Sequence, residues 1–162
     1  MNTVIVVLAQ YVPFLVPLAA GVVWLTLDRT DKVSLAIRAI IAFALALVLI
    51  KVAGMVHTDP RPFVVDPSLK PLFPHPADNG FPSDHTTMVV TVSLLVLAYR
   101  RWTAIVLLVV SALVGWARVA SHVHHTEDII AGAVIGIVAA LVGYWAERAI
   151  ARRRAARAVA AS

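Results

Sequence analysis

RVASHVHHTED, residues 118–128, lies between two long apolar runs at 103–116 and 129–145. Its eleven residues include one arginine, three histidines and two acids. Ionisable side chains beside membrane-length apolar segments are costly to keep, so they mark a functional site by default. Three further apolar stretches, at 4–27, 33–56 and 86–99, bring the total to five. With 60% hydrophobic and 14% charged residues, against roughly a quarter charged in soluble domains, the chain is expected to be an integral membrane protein. The fold class this predicts is all-α, an integral membrane bundle of about five transmembrane helices.

A spanning helix needs about 20 apolar residues. The first, second and fifth stretches reach that length. The third and fourth do so only if their polar ends are counted, which predicts short helices or a recessed bundle surface there. Pro13 and Pro17 interrupt the first stretch and require neighbouring helices to satisfy the carbonyls they free. Gly132, Gly136, Ala140 and Gly143 put small residues along the last helix, as a close helix contact demands. No positive n-region or cleavage site marks residues 1–27 as a removable leader. One transmembrane unit is expected over 1–147, followed by a basic tail over 148–162.

Basic residues orient the bundle. Arg29 and Lys32 follow the first stretch, Arg100 and Arg101 the third, and five arginines (Arg148, Arg152, Arg153, Arg154, Arg157) the fifth. In a five-span topology all three groups fall on one side, which the positive-inside rule makes cytoplasmic. The net charge of +5 is then a juxtamembrane anchor to anionic lipid, and no nucleic-acid partner is expected. The two loops that hold all six histidines face the other, extracytoplasmic side. The longer one carries seven of the nine prolines and ends at Ser83 and Asp84, good N-cap residues before an apolar helix. Such a helix start offers free backbone N–H groups to an anion. The chain has no cysteine, so thiolate chemistry and disulfides are excluded.

Three polar clusters share the extracytoplasmic side: Lys51 with Arg61, then Pro82-Ser83-Asp84-His85, then Arg118 with His124 and Asp128. His124 and Asp128 are four apart and share a face if helical. A carboxylate bonded to one imidazole nitrogen fixes the tautomer and frees the other nitrogen to attack. Arginine forks match phosphoryl oxygens.

These residues resemble the type 2 phosphatidic acid phosphatase superfamily, whose pattern is Lys-x6-Arg-Pro, Pro-Ser-Gly-His and Ser-Arg-x5-His-x3-Asp. Arg61-Pro62 matches the end of the first motif, Pro82-Ser83-x-His85 the second, and Arg118-x5-His124-x3-Asp128 the third, in family order. Three ordered motifs with correct spacing are far more specific than any one alone. The departures are Lys51, ten residues before Arg61 instead of seven, Asp84 for the motif glycine, and Ala117 for the motif serine. The form FPSDHTT is similar to the branch of undecaprenyl diphosphate phosphatases. The resemblance implies a lipid phosphate substrate and a metal-independent reaction without cofactor. It implies His124 as nucleophile through a phosphohistidine, Asp128 as its orienting acid and His85 as proton donor. Arg61, Arg118, Ser83 and Lys51 would hold the phosphoryl group. The plasma membrane is the implied location.

Other readings compete. Phosphatidylglycerophosphate or phosphatidate could be the substrate. A membrane transporter or metal-binding protein could use the histidines as relay or ligands, but adjacent His124 and His125 would diverge on a helix. His122 and His125 are expected as wet loop residues, His57 and His75 as non-catalytic, and Arg38 as a snorkelling interface residue. Asp59, Asp66 and Asp78 are expected as turn formers.

Overall fold

The computed structural model describes residues 2–160; Met1, Ala161 and Ser162, the last two belonging to the expected tail, lie outside the described residues. The described residues form seven helices: α1 (Asn2–Gln10), α2 (Val12–Thr26), α3 (Arg29–Val56), α4 (Pro62–Val65), α5 (Asp84–Leu97), α6 (Arg101–Ala120) and α7 (Thr126–Ala160). Among the described residues there is no strand, only an isolated bridge between Pro60 and Asn79. The all-α class read from the sequence is the one found.

Helices α3, α6 and α7 are long and apolar enough to cross a membrane, and α1 with α2 makes a fourth span if the pair, bent by 47°, is counted as one. α5 has 14 residues, about 21 Å at 1.5 Å per residue, short of the roughly 30 Å of a hydrocarbon core. It is the central post of the bundle. Nearly every residue from Thr86 to Val96 is buried, with α2, α3, α6 and α7 packed around it. Its hydroxyls are returned to its own backbone or to its cap Ser83, as with Thr91 Oγ1 to the Thr87 carbonyl at 2.7 Å, Ser93 Oγ to the Val89 carbonyl at 2.7 Å and Thr87 Oγ1 to the Ser83 carbonyl at 3.0 Å. Its polar side chains can therefore be buried without orphaned groups. α6 gains its full length by taking in Arg101 at one end and Arg118 at the other.

The small residues of α7 have the expected effect. A Cβ on Gly132 would stand 2.6 Å from the Ser83 carbonyl, and one on Gly143 would stand 2.6 Å from the Arg38 carbonyl. Only glycine lets α7 lie against both α5 and α3 at that distance. α7 also runs unbroken across 147/148, so the basic tail is helical through Ala160.

Pro13 is compensated from outside its own helix. It lacks the N–H that would bond to the Ala9 carbonyl one turn earlier, and Arg118 Nη1 donates to that oxygen at 3.3 Å. The bend between α1 and α2 thus creates an acceptor that holds one arm of Arg118.

Arg38 corrects an expectation. It does not snorkel to an interface. It is 9% exposed, donates from Nε and Nη2 to Glu147 Oε2 at 3.1 and 3.0 Å, and lies between the rings of Tyr99 and Tyr144. Glu147, on the last buried turn of α7, is the acid that lets a guanidinium stay inside.

Candidate active site

The loops at one end of the bundle enclose a polar cavity of about 340 Å³. Five of the residues singled out in the sequence reach it from five different places in the chain. α3 ends beside it and contributes Lys51, which is exposed. Arg61 comes from the turn before α4, His85 from the first turn of α5, Arg118 from the last turn of α6, and His124 from the turn before α7. Five of the seven residues singled out in the sequence therefore line one cavity.

His124 is the centre. It is 3% exposed, and its Nδ1 lies 3.0 Å from Asp128 Oδ2. The expected contact exists, but a shared helical face does not create it. α7 begins at Thr126, so His124 precedes the helix. Asp128 reaches back over the helix start, where the same Oδ2 accepts the backbone N–H of His125 at 2.9 Å. This is the backward half of a capping box. A carboxylate only accepts, so Nδ1 carries the hydrogen and Nε2 presents its lone pair to the cavity. Asp128 is completely buried, and its second oxygen, Oδ1, has no partner.

Two guanidinium groups converge on that lone pair. Arg61 Nη1 lies 3.4 Å from His124 Nε2 and Arg118 Nη2 lies 3.3 Å from it. Both arginines are buried, at 5% and 3% exposed. Arg61 is held by the Val123 carbonyl at 2.7 Å and by an ion pair of 2.8 Å with Asp78, whose side chain is mostly exposed. Arg118 has no carboxylate partner; it meets the Ala9 carbonyl and His75, and its Nε is buried without a partner. Burial first, and then the charges of Arg118 and Arg61, hold the His124 imidazole below its ordinary range, against the opposing pull of Asp128. A neutral imidazole with a free nitrogen facing two cations can attack an anionic electrophile that those cations bind.

Ser83 and Asp128 are outside the cavity wall. Ser83 is fully buried, and its Oγ accepts from the Thr86 N–H at 3.4 Å and from Thr86 Oγ1 at 3.1 Å. It caps α5, as its position in the sequence predicts, and its neighbours Pro82, Asp84 and His85 form the wall. Gly80 is packed against Asp128: a Cβ there would approach Oδ2 to 3.0 Å.

Several residues set aside in the sequence have definite places. His75 lines the cavity and lies 3.0 Å from Arg118 Nη2. Asp78 is the counter-ion of Arg61 as well as a loop residue. Asp59 pairs with His125 at 2.9 Å, so His125 is tied as well as partly wet, with 34% of its side chain exposed. His122 takes a left-handed backbone, φ 60°, and its Nδ1 meets the Lys70 carbonyl at 3.1 Å. Asn79 ties the outer loop to the end of α3 by accepting from the Asp59 and Phe81 N–H groups and donating to the Gly54 and His57 carbonyls. Asn79-Gly80 carried a turn signal, but nothing in the sequence around His75 pointed to the cavity.

An apolar helical bundle with a buried acid–imidazole pair facing two guanidinium groups is the equipment of a membrane phosphoryl-transfer enzyme. A family model for the PAP2 superfamily matches residues 35–152, well over half of the chain, and the chain belongs to that superfamily. It is a phosphatase and a multi-pass membrane protein. It is 38% identical over 90% of its length to the bacitracin transport permease protein BcrC of Bacillus licheniformis, of which it spans 71%. It is 35% identical over 78% of its length to a putative undecaprenyl-diphosphatase, YbjG, of Escherichia coli, spanning 63% of that protein. An undecaprenyl-diphosphatase of Sulfolobus acidocaldarius is 33% identical over 84% of the chain, which spans 66% of it. Among solved structures, Aquifex aeolicus LpxE superposes with a TM-score of 0.71 at 26% identity, covering 88% of this chain and 84% of that one.

Proposed function

We propose that the protein hydrolyses a polyprenyl diphosphate, undecaprenyl diphosphate in a cell-wall carrier cycle, to the monophosphate. The observation that carries this reading is His124 Nε2, which faces Arg61 and Arg118 while Nδ1 is tied to buried Asp128. In the proposed reaction Arg61 and Arg118, with Lys51 at the rim, hold the terminal phosphoryl group. His124 Nε2 attacks its phosphorus in line, and the P–O bond to the inner phosphate breaks. His85 gives a proton to the departing oxygen, so the lipid leaves as its monophosphate. Water, deprotonated by His85, then cleaves the P–N bond and releases phosphate. Ser83 acts indirectly, by fixing the start of α5. The guanidinium groups stabilise the charge that grows on the equatorial oxygens.

A lipid substrate is supported by what adjoins the cavity. An apolar groove lined by Phe43, Leu47, Thr87 and Met88 shares Ile50 and Asp84 with the polar cavity. It shares Phe43 with a second apolar groove between α2, α3 and α5. A headgroup can sit among the cations while its chain stays in the apolar layer. The names of the relatives and the FPSDH form favour a polyprenyl diphosphate over phosphatidylglycerophosphate and phosphatidate. The basic tail, read by the positive-inside rule, supports a site on the extracytoplasmic face, and the proposed carrier cycle would make that membrane the plasma membrane.

The test is phosphate release by purified protein from undecaprenyl diphosphate, phosphatidylglycerophosphate, phosphatidate and diacylglycerol pyrophosphate, each with chelator present. Fastest release from the polyprenyl diphosphate, undiminished by chelator, is expected. Preference for another lipid would replace the substrate, and a loss restored by zinc would overturn the histidine mechanism.

A further inference from the structure

One amine of Arg118 is engaged by a residue outside all three motifs. Nη2 lies 3.0 Å from His75 Nε2 as well as 3.3 Å from His124 Nε2. On the far side of the His75 ring, Nδ1 is 3.3 Å from the Pro76 carbonyl oxygen. A carbonyl can only accept and a guanidinium can only donate. Nδ1 therefore carries the hydrogen, Nε2 carries a lone pair, and His75 is neutral in this arrangement. The half-buried ring lines the same cavity and meets the His124 ring edge to face, with centroids 6.4 Å apart.

Given a site that holds a phosphoryl group, we infer that His75 is a further substrate-binding residue, which takes up a proton as the anion binds and donates from Nε2 to a phosphoryl oxygen. Anionic oxygens compete strongly with a neutral imidazole for a guanidinium hydrogen, because a charge-assisted bond is the stronger one. When Arg118 Nη2 turns to the anion, His75 Nε2 loses its donor. Its lone pair then points towards negative charge, a repulsive arrangement that a proton converts into a hydrogen bond. Before the anion arrives, burial first, and then the charges of Arg61, Arg118 and His124, keep His75 below its ordinary range, although the Pro76 carbonyl opposes this. A bound phosphoryl group offsets those same charges.

The groups facing the cavity decide where the proton goes. Lys51 from α3, Arg61 from the loop and Arg118 from α6 oppose protonation, while Asp78 from the loop and Asp84 from α5 favour it. Two other imidazoles could accept it. His124 Nε2 is the atom that attacks phosphorus, so a proton there blocks the reaction. Any proton that His85 takes up goes on to the leaving oxygen, and that uptake is the same whether or not position 75 can be charged. His75 is the remaining imidazole, and it already sits against the guanidinium that the substrate recruits.

The experiment uses the full chain in detergent micelles, wild type beside His75→Gln, which keeps a polar side chain but cannot charge. Binding of inorganic phosphate is measured by calorimetry at about pH 7 in two buffers of different ionisation heat, giving the protons taken up per anion. The titration of phosphate itself is common to both proteins and cancels in the difference. The wild type should take up about one proton more than the variant. KM for a polyprenyl diphosphate should be about tenfold higher in His75→Gln at about pH 6, with kcat changed less, and the gap should close towards about pH 8.5 as wild-type His75 loses its charge. Equal proton uptake in the two proteins, or a KM ratio that does not vary with pH, overturns the proposal and leaves His75 as a packing residue. If the wild type neither binds phosphate nor releases it from any lipid, the phosphatase site itself falls, and the role of His75 falls with it.

Discussion

The bundle buries arginines in two places and treats them in opposite ways. At one end Arg38 is neutralised by Glu147 through two hydrogen bonds and lies between two tyrosine rings. At the other end Arg61 and Arg118 converge on one imidazole nitrogen, and Arg118 has no carboxylate partner at all. The same side chain is a structural pair in one place and, in the proposed reaction, an anion receptor in the other. What separates them is compensation. A buried charge that is fully paired belongs to the fold, and one left short of its counter-ion awaits a ligand.

Breaking each end should therefore produce opposite phenotypes. Arg118→Ala and Arg61→Ala should each lower kcat/KM for lipid diphosphate by about 10²–10³-fold. Their unfolding free energies should stay within about 1 kcal/mol of wild type, because relief of like-charge repulsion offsets the lost contacts. Arg38→Ala should keep its activity per folded molecule and lose about 3–5 kcal/mol of stability, because Glu147 is left buried and unpaired. Removing both partners, as Arg38→Met with Glu147→Leu, should recover most of that loss. Equal damage to activity from Arg38→Ala and Arg118→Ala would erase the contrast.

Asp128→Asn sharpens the comparison from the imidazole side. An amide can offer its N–H to Nδ1 and so select the wrong tautomer, and about a 10²–10⁴-fold drop in kcat with little change in KM is expected. Steady-state kinetics separates this from the Arg61 and Arg118 variants, which should raise KM as well.

Acid should act on the site histidines. His124 and His75 both titrate below the ordinary histidine value, so on acidification the unfolded chain binds protons before the folded one does. Stability should be level above about pH 6.5 and fall below it, towards the depressed folded values. His75→Gln should show a shallower fall, as chemical unfolding at stepped pH would reveal.

The smallest effect is expected at the bend. Pro13→Ala restores the N–H that bonds to the Ala9 carbonyl, and Arg118 Nη1 loses an exclusive acceptor. A severalfold rise in KM is expected, with helix content unchanged by circular dichroism. No change in KM would mean that Arg118 is positioned without Ala9.

The legible parts of the molecule were those carried by local pattern. Apolar runs gave the helices, small residues gave the face of α7 that meets α5 and α3, and the cap before α5 was visible in Ser83. Motif spacing selected His124 from three neighbouring histidines and linked it to Asp128, Arg118, Arg61 and His85. What stayed hidden depended on contacts across the chain. Arg38 and Glu147 are 109 residues apart, and no periodicity pairs them. His75 stands in a proline-rich loop whose path is set by Asn79 and by the packing of Phe73 under α1 and α6. The distance between His124 and Asp128 was legible, but its cause was not: a carboxylate folded back over a helix start gives the same spacing as two side chains on one helical face.

The central claim is that His124 Nε2 becomes bonded to phosphorus. Rapid acid-free quenching of the purified protein turning over a terminally labelled polyprenyl diphosphate tests it directly. A label that stays on the protein in alkali, leaves in acid and maps by mass spectrometry to His124 is the predicted result, and His124→Ala should neither carry label nor release phosphate. Undiminished phosphate release by His124→Ala, or label on another residue, would contradict it.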